Sequence, residues 1–288
     1  MTTSRIRQTL RDLGAIRDDD VTLFRAQTRD REVPVYRDSR SGVIFIDDYY
    51  VGDDEYVTGE YRGALIPTYE DAVDTERRVA AFRDVYYGRS VLDFGCGEGN
   101  FLRAVAPGAT SVTGIELQDS YRNRLNADGI ACYAGLDEVP EDLDAVFMFH
   151  VLEHLPEPLE TLARIRALLA PKSGRLVVEV PHARDLLLST LQNEAFTSFT
   201  LWSQHLVLHT RDSLDRLLRA AGFRVESIMG VQRYGLPNHL TWLSEGKPGG
   251  HRGPLAPMET PALHHAYASA LSGLDANDTL VAVAVATS

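Results

Sequence analysis

Short apolar runs alternate with helix-type patterns through the middle of the chain, and this alternation restricts the fold more than any other feature. Each run is rich in Val, Ile, Phe or Tyr, and most are continuous, as strands buried on both faces require. Because amphipathic stretches separate the runs, strand–helix–strand units and a parallel sheet are expected. The predicted strands in this part are residues 90–95, 111–116, 130–135, 144–150 and 175–181.

The C-terminal third continues the same pattern. The run TRDSLDRLLRAAGF predicts a helix capped by Thr210 and ended by Gly222. Two further strands are predicted at 223–233 and 279–287, the last of them antiparallel. The prediction is therefore an α/β fold with a doubly wound, seven-stranded, mostly parallel sheet.

Two domains are predicted. Residues 1–68, charged and rich in tyrosine, form an N-terminal extension or cap, and residues 69–288 form the α/β domain. A Gly-, Pro- and His-rich stretch at about 232–272 is predicted to be a lid insertion, because long connections in compact domains are usually functional. The tyrosines that could close the other side of a site are Tyr49, Tyr50, Tyr56 and Tyr61.

Composition narrows the class of protein. The 288 residues carry 41 acidic and 29 basic side chains, a formal net charge of -12. Such a surface repels phosphate backbones, so no nucleic-acid partner is expected. No apolar run approaches the ~20 residues that span a bilayer, and the N-terminus has no signal-type apolar region, so a cytoplasmic protein without membrane contact is expected. The cysteines, Cys96 and Cys132, are expected to be reduced and buried.

A glycine-rich turn follows the first strand of the alternating part. It reads Asp93-x-Gly95-x-Gly97-x-Gly99 and opens a helix, which exposes free backbone N–H groups. The spacing differs from the G-x-G-x-x-G that cradles a pyrophosphate, which disfavours an NAD-dependent enzyme. Glu116 ends the next strand, 21 residues after Gly95, where an acid can accept hydrogen bonds from a ribose diol. S-adenosylmethionine (SAM) needs both features.

These runs resemble a known family. VLDFGCGEGNFL resembles motif I of class I SAM-dependent methyltransferases, and GIEL resembles their motif II; the resemblance covers about residues 70–235. It implies the Rossmann-like class I methyltransferase fold, methyltransferase activity and SAM as the cofactor. The cofactor-binding residues that it implies are Asp93, Gly95, Cys96, Gly97, Glu116, Leu117, Phe149 and His150.

The run His150-Val-Leu-Glu153-His154 also matches H-x-x-E-H, an inverted zinc-peptidase pattern. A zinc-dependent hydrolase using His150 and His154 is therefore one alternative. Its position directly after a strand opposes that interpretation, because a zinc helix needs both histidines within a helix, and no matching third ligand stands out. We predict no metal site. A non-catalytic SAM-binding module is the other alternative.

The segment after residue 181 resembles the C-terminal part of sugar C-methyltransferases. Their Tyr-His-Glu-His-Leu run matches Trp202-Ser203-Gln204-His205-Leu206 here, whereas their zinc-binding N-terminal cysteines are absent. The resemblance implies that His205 is the catalytic base or lies beside it. His150, expected near the reactive end of the cofactor, is a second catalytic candidate. Because Gln204 replaces a glutamate and removes its charge, methylation of oxygen or nitrogen is favoured over carbon.

Substrate residues are expected where strands end, because open α/β sheets bind ligands there. The expected acceptor is a small polar metabolite, such as a sugar, a nucleotide sugar or a related natural-product intermediate. A homodimer is compatible with these features. The predicted substrate residues are Glu179, His182, Gln204, Tyr234 and Asn238.

Overall fold

The computed structural model describes residues 5–47, 49–52 and 69–287. The strands of these residues are β1 (Val21–Arg25), β2 (Val35–Asp38), β3 (Ile44–Ile46), β4 (Ser90–Phe94), β5 (Ser111–Ile115), β6 (Ala131–Tyr133), β7 (Ala145–Phe149), β8 (Arg175–Pro181), β9 (Val207–Leu208), β10 (Phe223–Val231) and β11 (Thr279–Ala286). The helices are α1 (Ile6–Asp12), α2 (Tyr69–Ala81), α3 (Arg83–Tyr86), α4 (Asn100–Val105), α5 (Asp119–Ala127), α6 (Pro158–Leu168), α7 (Glu194–Thr200), α8 (Arg211–Ala220), α9 (Leu236–Glu245) and α10 (Pro261–Gly273).

A seven-stranded sheet forms the centre of the fold, in the order β10-β11-β8-β7-β4-β5-β6. Strands β4 to β8 pair in parallel, whereas β11 runs antiparallel to both β8 and β10. This arrangement confirms the predicted α/β fold with a mostly parallel sheet. The parallel register brings the carboxyl ends of β4, β5, β7 and β8 to one edge, where ligands bind in open α/β sheets.

Both faces of the sheet are covered. On one face, Leu162 and Ile165 of α6 and Leu214 and Leu217 of α8 pack with the apolar strand residues in one buried cluster. On the other face an aromatic cluster includes Phe101 and Phe147, whose ring centroids are 4.8 Å apart. Each fully buried side chain of this size contributes roughly 1.5–3 kcal/mol of transfer free energy. The central strands are therefore buried on both faces, as their continuous apolar runs predict.

A second sheet joins the N-terminal part to the second half of the chain. Its four strands are antiparallel in the order β1-β2-β3-β9. Ile44 pairs with Leu208, and Ile46 N–H donates to the carbonyl of Leu206 at 2.9 Å. The N-terminal strands thus support the connection between β8 and α8.

Several strands end earlier than the sequence predicts, because the chain turns where the pattern still looks apolar. Residue His150, predicted inside a strand, has φ +57°, so β7 ends at Phe149. Strand β10 ends at Val231, because the N–H of Arg233 donates to the carboxylate of Asp278 instead of a neighbouring strand. These turns place polar side chains at the ligand-binding edge of the sheet.

Helix α8 begins with a capping box. The Thr210 side chain accepts from Ser213 N–H, and the Ser213 hydroxyl accepts from Thr210 N–H at 3.0 Å. Removing this cap by Thr210→Ala should lower the free energy of unfolding by about 1 kcal/mol, since orphaned helix N–H groups lose their partner. Denaturant unfolding measures the change. Thr210→Ser, which keeps the oxygen, should retain most of the stability, and equal losses in both variants would contradict the capping role.

The segment between β10 and β11, which includes the predicted lid insertion, contains α9 and α10. Within the described residues, no helix is long and apolar enough to cross a membrane. Tyr49 and Tyr50 lie just after the small sheet, whereas Tyr56 and Tyr61 lie outside the described residues.

Candidate cofactor and acceptor site

The glycine-rich turn connects β4 to α4 through left-handed backbone. Gly95, Gly97 and Gly99 have φ values of +79°, +54° and +75°, which side chains other than glycine rarely adopt. Space is also restricted, because a Cβ on Gly95 would lie 2.5 Å from Val151 Cγ2, and one on Gly99 2.3 Å from Leu125 Cδ2. Glycine is therefore required at these two positions both by conformation and by packing.

The carboxylate of Glu116 closes one side of this turn. Its Oε2 accepts from Gly97 N–H at 2.8 Å and its Oε1 from Gln118 N–H at 2.9 Å. Each carboxylate oxygen retains a further lone pair for a ligand hydroxyl. Leu117, the next residue, is 38% exposed and provides an apolar surface beside the carboxylate.

Asp93 lies at the end of β4, 3% exposed. Burial raises the pKa of its carboxyl to about 7; Glu116 adds to this rise, and the Arg78 guanidinium opposes it. Among the described residues, no donor makes a hydrogen bond to this carboxylate. A buried acid without a partner favours a cationic group beside it, which would restore its ionised form.

Phe149 forms an aromatic wall at the end of β7. Its ring centroid lies 5.0 Å from that of Phe101 and 5.6 Å from that of Phe147. The Arg78 guanidinium lies 4.2 Å from the centre of the ring, within cation–π range. This packing fixes the direction in which the chain leaves β7.

His150 stands between two buried carboxylates. Its Nδ1 lies 3.2 Å from Glu153 Oε1. Its Nε2 lies 3.2 Å from Glu179 Oε1, which is close enough for an ion pair, but the angles are not those of a hydrogen bond. Burial and Arg233 oppose protonation of His150, but the two carboxylates outweigh them and raise its pKa. The unusual φ of His150 is thus held by contacts on both ring nitrogens.

Two arginines of α2 donate hydrogen bonds to the Glu179 carboxylate. Arg77 donates to Glu179 Oε1 at 2.8 Å and Arg78 donates to it at 2.7 Å, and Glu179 is fully buried. Burial opposes ionisation of Glu179, yet His150 and the arginines lower its pKa well below the usual range. Arg77 also bonds Asp74, and Asp74 pairs with Arg233. These ion pairs connect α2 with the ends of β8 and β10.

His205 lies in a different group of side chains. Its ring centroid is 5.0 Å from that of His154 and 5.5 Å from that of Trp202. Burial, reinforced by the neighbouring His154, lowers the pKa of His205 to about 3, so its ring is neutral. The backbone carbonyl of Gln204 accepts from His154 Nδ1 at 2.8 Å, and the Gln204 side chain is buried.

The N-terminal part positions this group. The Asp30 carboxylate accepts from the N–H of Ser203 at 3.0 Å and from its hydroxyl at 2.6 Å. Arg29 lies 4.7 Å from the Trp202 ring centre. The N–H of Leu206 donates to the carbonyl of Glu153 at 2.7 Å.

The remaining predicted substrate residues separate into two places. His182 is 1% exposed, and its Nδ1 lies 3.0 Å from the Asn277 carbonyl, so it supports the chain before β11. Burial lowers its pKa to about 4. Tyr234 and Asn238 instead line a cavity of about 280 Å³. The other residues around this cavity are Val73, Asp74, Arg233, Gly235, Pro237, His251, Ala256, Glu259 and His264.

The two cysteines are adjacent. The Cys96 and Cys132 sulfurs lie 3.8 Å apart and both thiols are free. The hydrogen bond between them and burial raise the pKa of Cys96. Cys96 packs against Gly114, where a Cβ would lie 2.6 Å from its sulfur.

The ion-pair network of α2 was not predicted from the sequence. Asp74, Arg77 and Arg78 are spaced three and four apart, so they share one helix face. That spacing was a usable signal for a functional face, but nothing local indicated that their partner would be Glu179, about a hundred residues away.

Comparison with known proteins identifies the fold and the family. A family model described as a methyltransferase domain matches residues 68–228, more than half of the chain. The chain belongs to this family. Its described fold is the one that class I SAM-dependent methyltransferases share, and His154 lies in a short 3₁₀ turn, not within a long helix.

The methyltransferase shares only part of its length with curated relatives. It is 33% identical over 128 residues to a tRNA U34 carboxymethyltransferase of Idiomarina loihiensis, covering 37% of this chain and 39% of that protein. It is 30% identical over 106 residues to a ubiquinone biosynthesis O-methyltransferase of Actinobacillus pleuropneumoniae serotype 7, covering 30% and 43%. The chain thus spans about two fifths of these relatives.

A solved structure shows the same fold over a longer stretch. The 1,6-didemethyltoxoflavin-N1-methyltransferase of Burkholderia thailandensis, solved with bound 1,6-didemethyltoxoflavin and S-adenosylhomocysteine, aligns with a TM-score of 0.52 at 18% identity. The alignment covers 93% of the methyltransferase and 100% of that chain. The family and such neighbours imply SAM as the methyl donor.

The residues present fit this cofactor. The buried Asp93 carboxylate, to which no described residue donates a hydrogen bond, suits the ammonium of the methionine arm, and Glu116 has acceptor capacity for ribose hydroxyls. Because Gly95 and Gly97 have no Cβ, a ligand can approach the backbone of the turn closely at these two positions.

Binding of the cofactor product should depend on pH through Asp93. Between about pH 5.5 and 7, the affinity for S-adenosylhomocysteine should rise up to about tenfold per pH unit, because its ammonium requires the ionised carboxylate; above pH 7 it should level off. Calorimetric titration across this range measures the effect. Asp93→Asn should bind weakly and lose most of the pH dependence, and an unchanged profile in that variant would assign the titration to another group.

Proposed function

We propose that this methyltransferase transfers the methyl group of SAM to an oxygen or nitrogen of a small polar metabolite, such as a sugar, a nucleotide sugar or a related natural-product intermediate. The observation that supports it is the cavity of about 280 Å³, which is lined mainly by polar and charged side chains. Small-molecule sites are concave, with a few placed polar groups that set orientation. Arg233, Tyr234 and Asn238 supply such groups.

A chain of ion pairs connects this cavity with the candidate cofactor site. Arg233 pairs with Asp74 at the cavity wall, and Asp74 bonds Arg77. Arg77 bonds Glu179, whose carboxylate faces His150 next to Phe149. Because the carboxylates of this chain are buried and every member is paired, the chain can hold an acceptor and a methyl donor in the fixed relation that in-line displacement requires.

The sulfonium of SAM supplies an activated methyl group, so the protein mainly aligns the reactants. Asp93 would hold the ammonium, and Glu116 the ribose. His150 is held between two carboxylates at the strand end and would orient the acceptor atom. His205, neutral and next to Trp202, is the candidate that the sugar-methyltransferase resemblance implies. Gln204, in place of a glutamate, keeps oxygen or nitrogen as the favoured acceptor atom.

We further propose that residues 232–272 act as a lid and residues 1–68 as a cap on residues 69–288. In support, the hydroxyl of Tyr267 on α10 lies 2.7 Å from His239 Nδ1 on α9, which joins the two helices over the cavity. Asp278 accepts from Gln232 at 3.0 Å and anchors the start of the segment. A homodimer remains a prediction.

Methyl transfer from deuterated SAM tests the proposed substrate class. The protein is incubated with pools of sugars, nucleotide sugars, phenols and amines, and separately with tRNA, and products are analysed by mass spectrometry. We expect labelled small molecules and no labelled tRNA, because the net charge of -12 opposes polyanion binding. Glu116→Ala, which lacks the ribose acceptor, serves as the inactive control. Labelling of tRNA alone would overturn the proposal, as would complete absence of transfer to either class.

A further inference from the structure

Three side chains outside the candidate cofactor site bring metal-ligating atoms together. Glu153 and His154 come from the 3₁₀ turn after β7, and His205 comes from the connection that leads to β9. One ligand atom of each lies within 4.8 Å of the other two. The three groups are a carboxylate and two imidazoles, which together suit zinc and similar transition-metal ions.

Two atoms of this cluster are buried without a partner. Within residues 5–47, 49–52 and 69–287, neither Glu153 Oε2 nor His205 Nδ1 makes a hydrogen bond. Glu153 is 0% exposed, although its other oxygen contacts His150. Buried polar atoms are almost always satisfied, and an ion is one of the usual reasons for an exception. Each of these atoms can offer a lone pair to a cation, the histidine nitrogen in the tautomer that carries its proton on the other ring nitrogen.

His154 has the orientation of a metal ligand. Its Nδ1 donates to the backbone carbonyl of Gln204 at 2.8 Å. Metal-ligating histidines commonly donate one ring N–H to a carbonyl, which fixes the ring and directs the other nitrogen to the ion.

The surrounding structure holds the ligands in place. Asp30 binds Ser203, and Leu206 N–H donates to the Glu153 carbonyl, so the two ligand-bearing segments are directly joined. Ligand atoms around a tetrahedral zinc ion are about 3.4 Å apart, given bonds of about 2.0–2.1 Å. Because these ligand atoms all lie within 4.8 Å of one another, their separations need to shrink by at most about 1.4 Å.

We propose that Glu153, His154 and His205 bind one divalent transition-metal ion of the zinc class, with a fourth position left for water or another small ligand. A metal ion bound to His205 would exclude a role of the bound ring nitrogen as a free catalytic base, and the test of the metal site does not use methyl transfer. This ligand set differs from the inverted zinc-peptidase pattern. His150 is not one of its ligands, because two carboxylates contact the His150 ring, and the second histidine ligand, His205, comes from a separate segment of the chain.

Metal content and affinity test the site directly. Tag-free protein is stripped with a chelator, dialysed against Zn²⁺ and buffer, and analysed by elemental mass spectrometry; affinity follows from competition with a chromophoric zinc chelator. Wild type and the control His265→Ala, which removes an exposed histidine elsewhere, should each hold one Zn²⁺ per chain. Glu153→Gln and His205→Gln should bind at least about 100-fold more weakly, since loss of a ligand costs more than loss of its supporting contact.

Substitution of Co²⁺ for Zn²⁺ tests the identity of the ligands in the wild-type protein, without a variant. Co²⁺ bound by imidazole and carboxylate should show tetrahedral visible bands without a sulfur-to-cobalt charge-transfer band. Zn²⁺ retention equal to wild type in Glu153→Gln and His205→Gln, or no retention by wild type, would overturn the proposal. A sulfur charge-transfer band would also overturn it, because it would place the ion at Cys96 and Cys132.

Discussion

Glu179→Gln should lower the free energy of unfolding by about 3–5 kcal/mol, the largest single effect that we expect. The substitution keeps the shape of the side chain but removes the charge that Arg77, Arg78 and His150 share. Breaking a buried pair from one side leaves uncompensated charge in a medium that solvates it poorly. Guanidinium unfolding followed by circular dichroism measures the loss.

Glu157→Gln is the matched control for this prediction. Glu157 pairs with Arg5 at 3.8 Å, but both side chains are largely exposed, 50% and 76%. Exposed pairs contribute about 0–1 kcal/mol, so the control should be nearly neutral. If the two substitutions cost the same, the Glu179 network would have no special role in anchoring α2 to the sheet.

Glu116→Ala should weaken binding of S-adenosylhomocysteine by about 100-fold. The substitution removes the acceptor for the ribose and also the carboxylate that holds Gly97 N–H and Gln118 N–H. Each hydrogen bond to a charged group contributes about 1.5–3 kcal/mol, so the loss of one or two of them accounts for an affinity about 100-fold weaker. Isothermal titration calorimetry measures the dissociation constants.

Asp119→Ala provides the comparison. Asp119 begins α5 close to Glu116, and its side chain is 75% exposed and bonded to Arg122. Removing it also removes one negative charge, so it reports any general electrostatic effect. A Glu116→Ala variant that binds as tightly as Asp119→Ala would contradict the ribose-binding role.

The central sheet and the cofactor turn could be predicted from sequence because their signals are local. Continuous apolar runs with helices between them predict a parallel sheet, and Asp93, three glycines and Glu116 lie within 24 residues. The capping box at Thr210 is equally local. Each of these features depends on neighbours in the chain.

The elements and side-chain positions that the sequence did not predict depend on contacts between residues far apart in the chain. Strand β9 has two residues and exists because β3 pairs with it, and β1 alternates too weakly to resemble a buried strand. Helix α9 carries Pro237 and His239 and resembles a loop, although it buries Trp242 against Phe196. Nothing in HVLEH indicates that His205 will lie beside it. Such placements follow only from the folded chain.

A crystal structure of the protein with S-adenosylhomocysteine tests the cofactor assignment most directly. We expect the ribose hydroxyls about 2.7–3.0 Å from the Glu116 carboxylate and the ammonium beside Asp93, with the homocysteine arm along Gly95 and Gly97. A ligand bound elsewhere, or failure to bind at saturating concentration, would contradict the account.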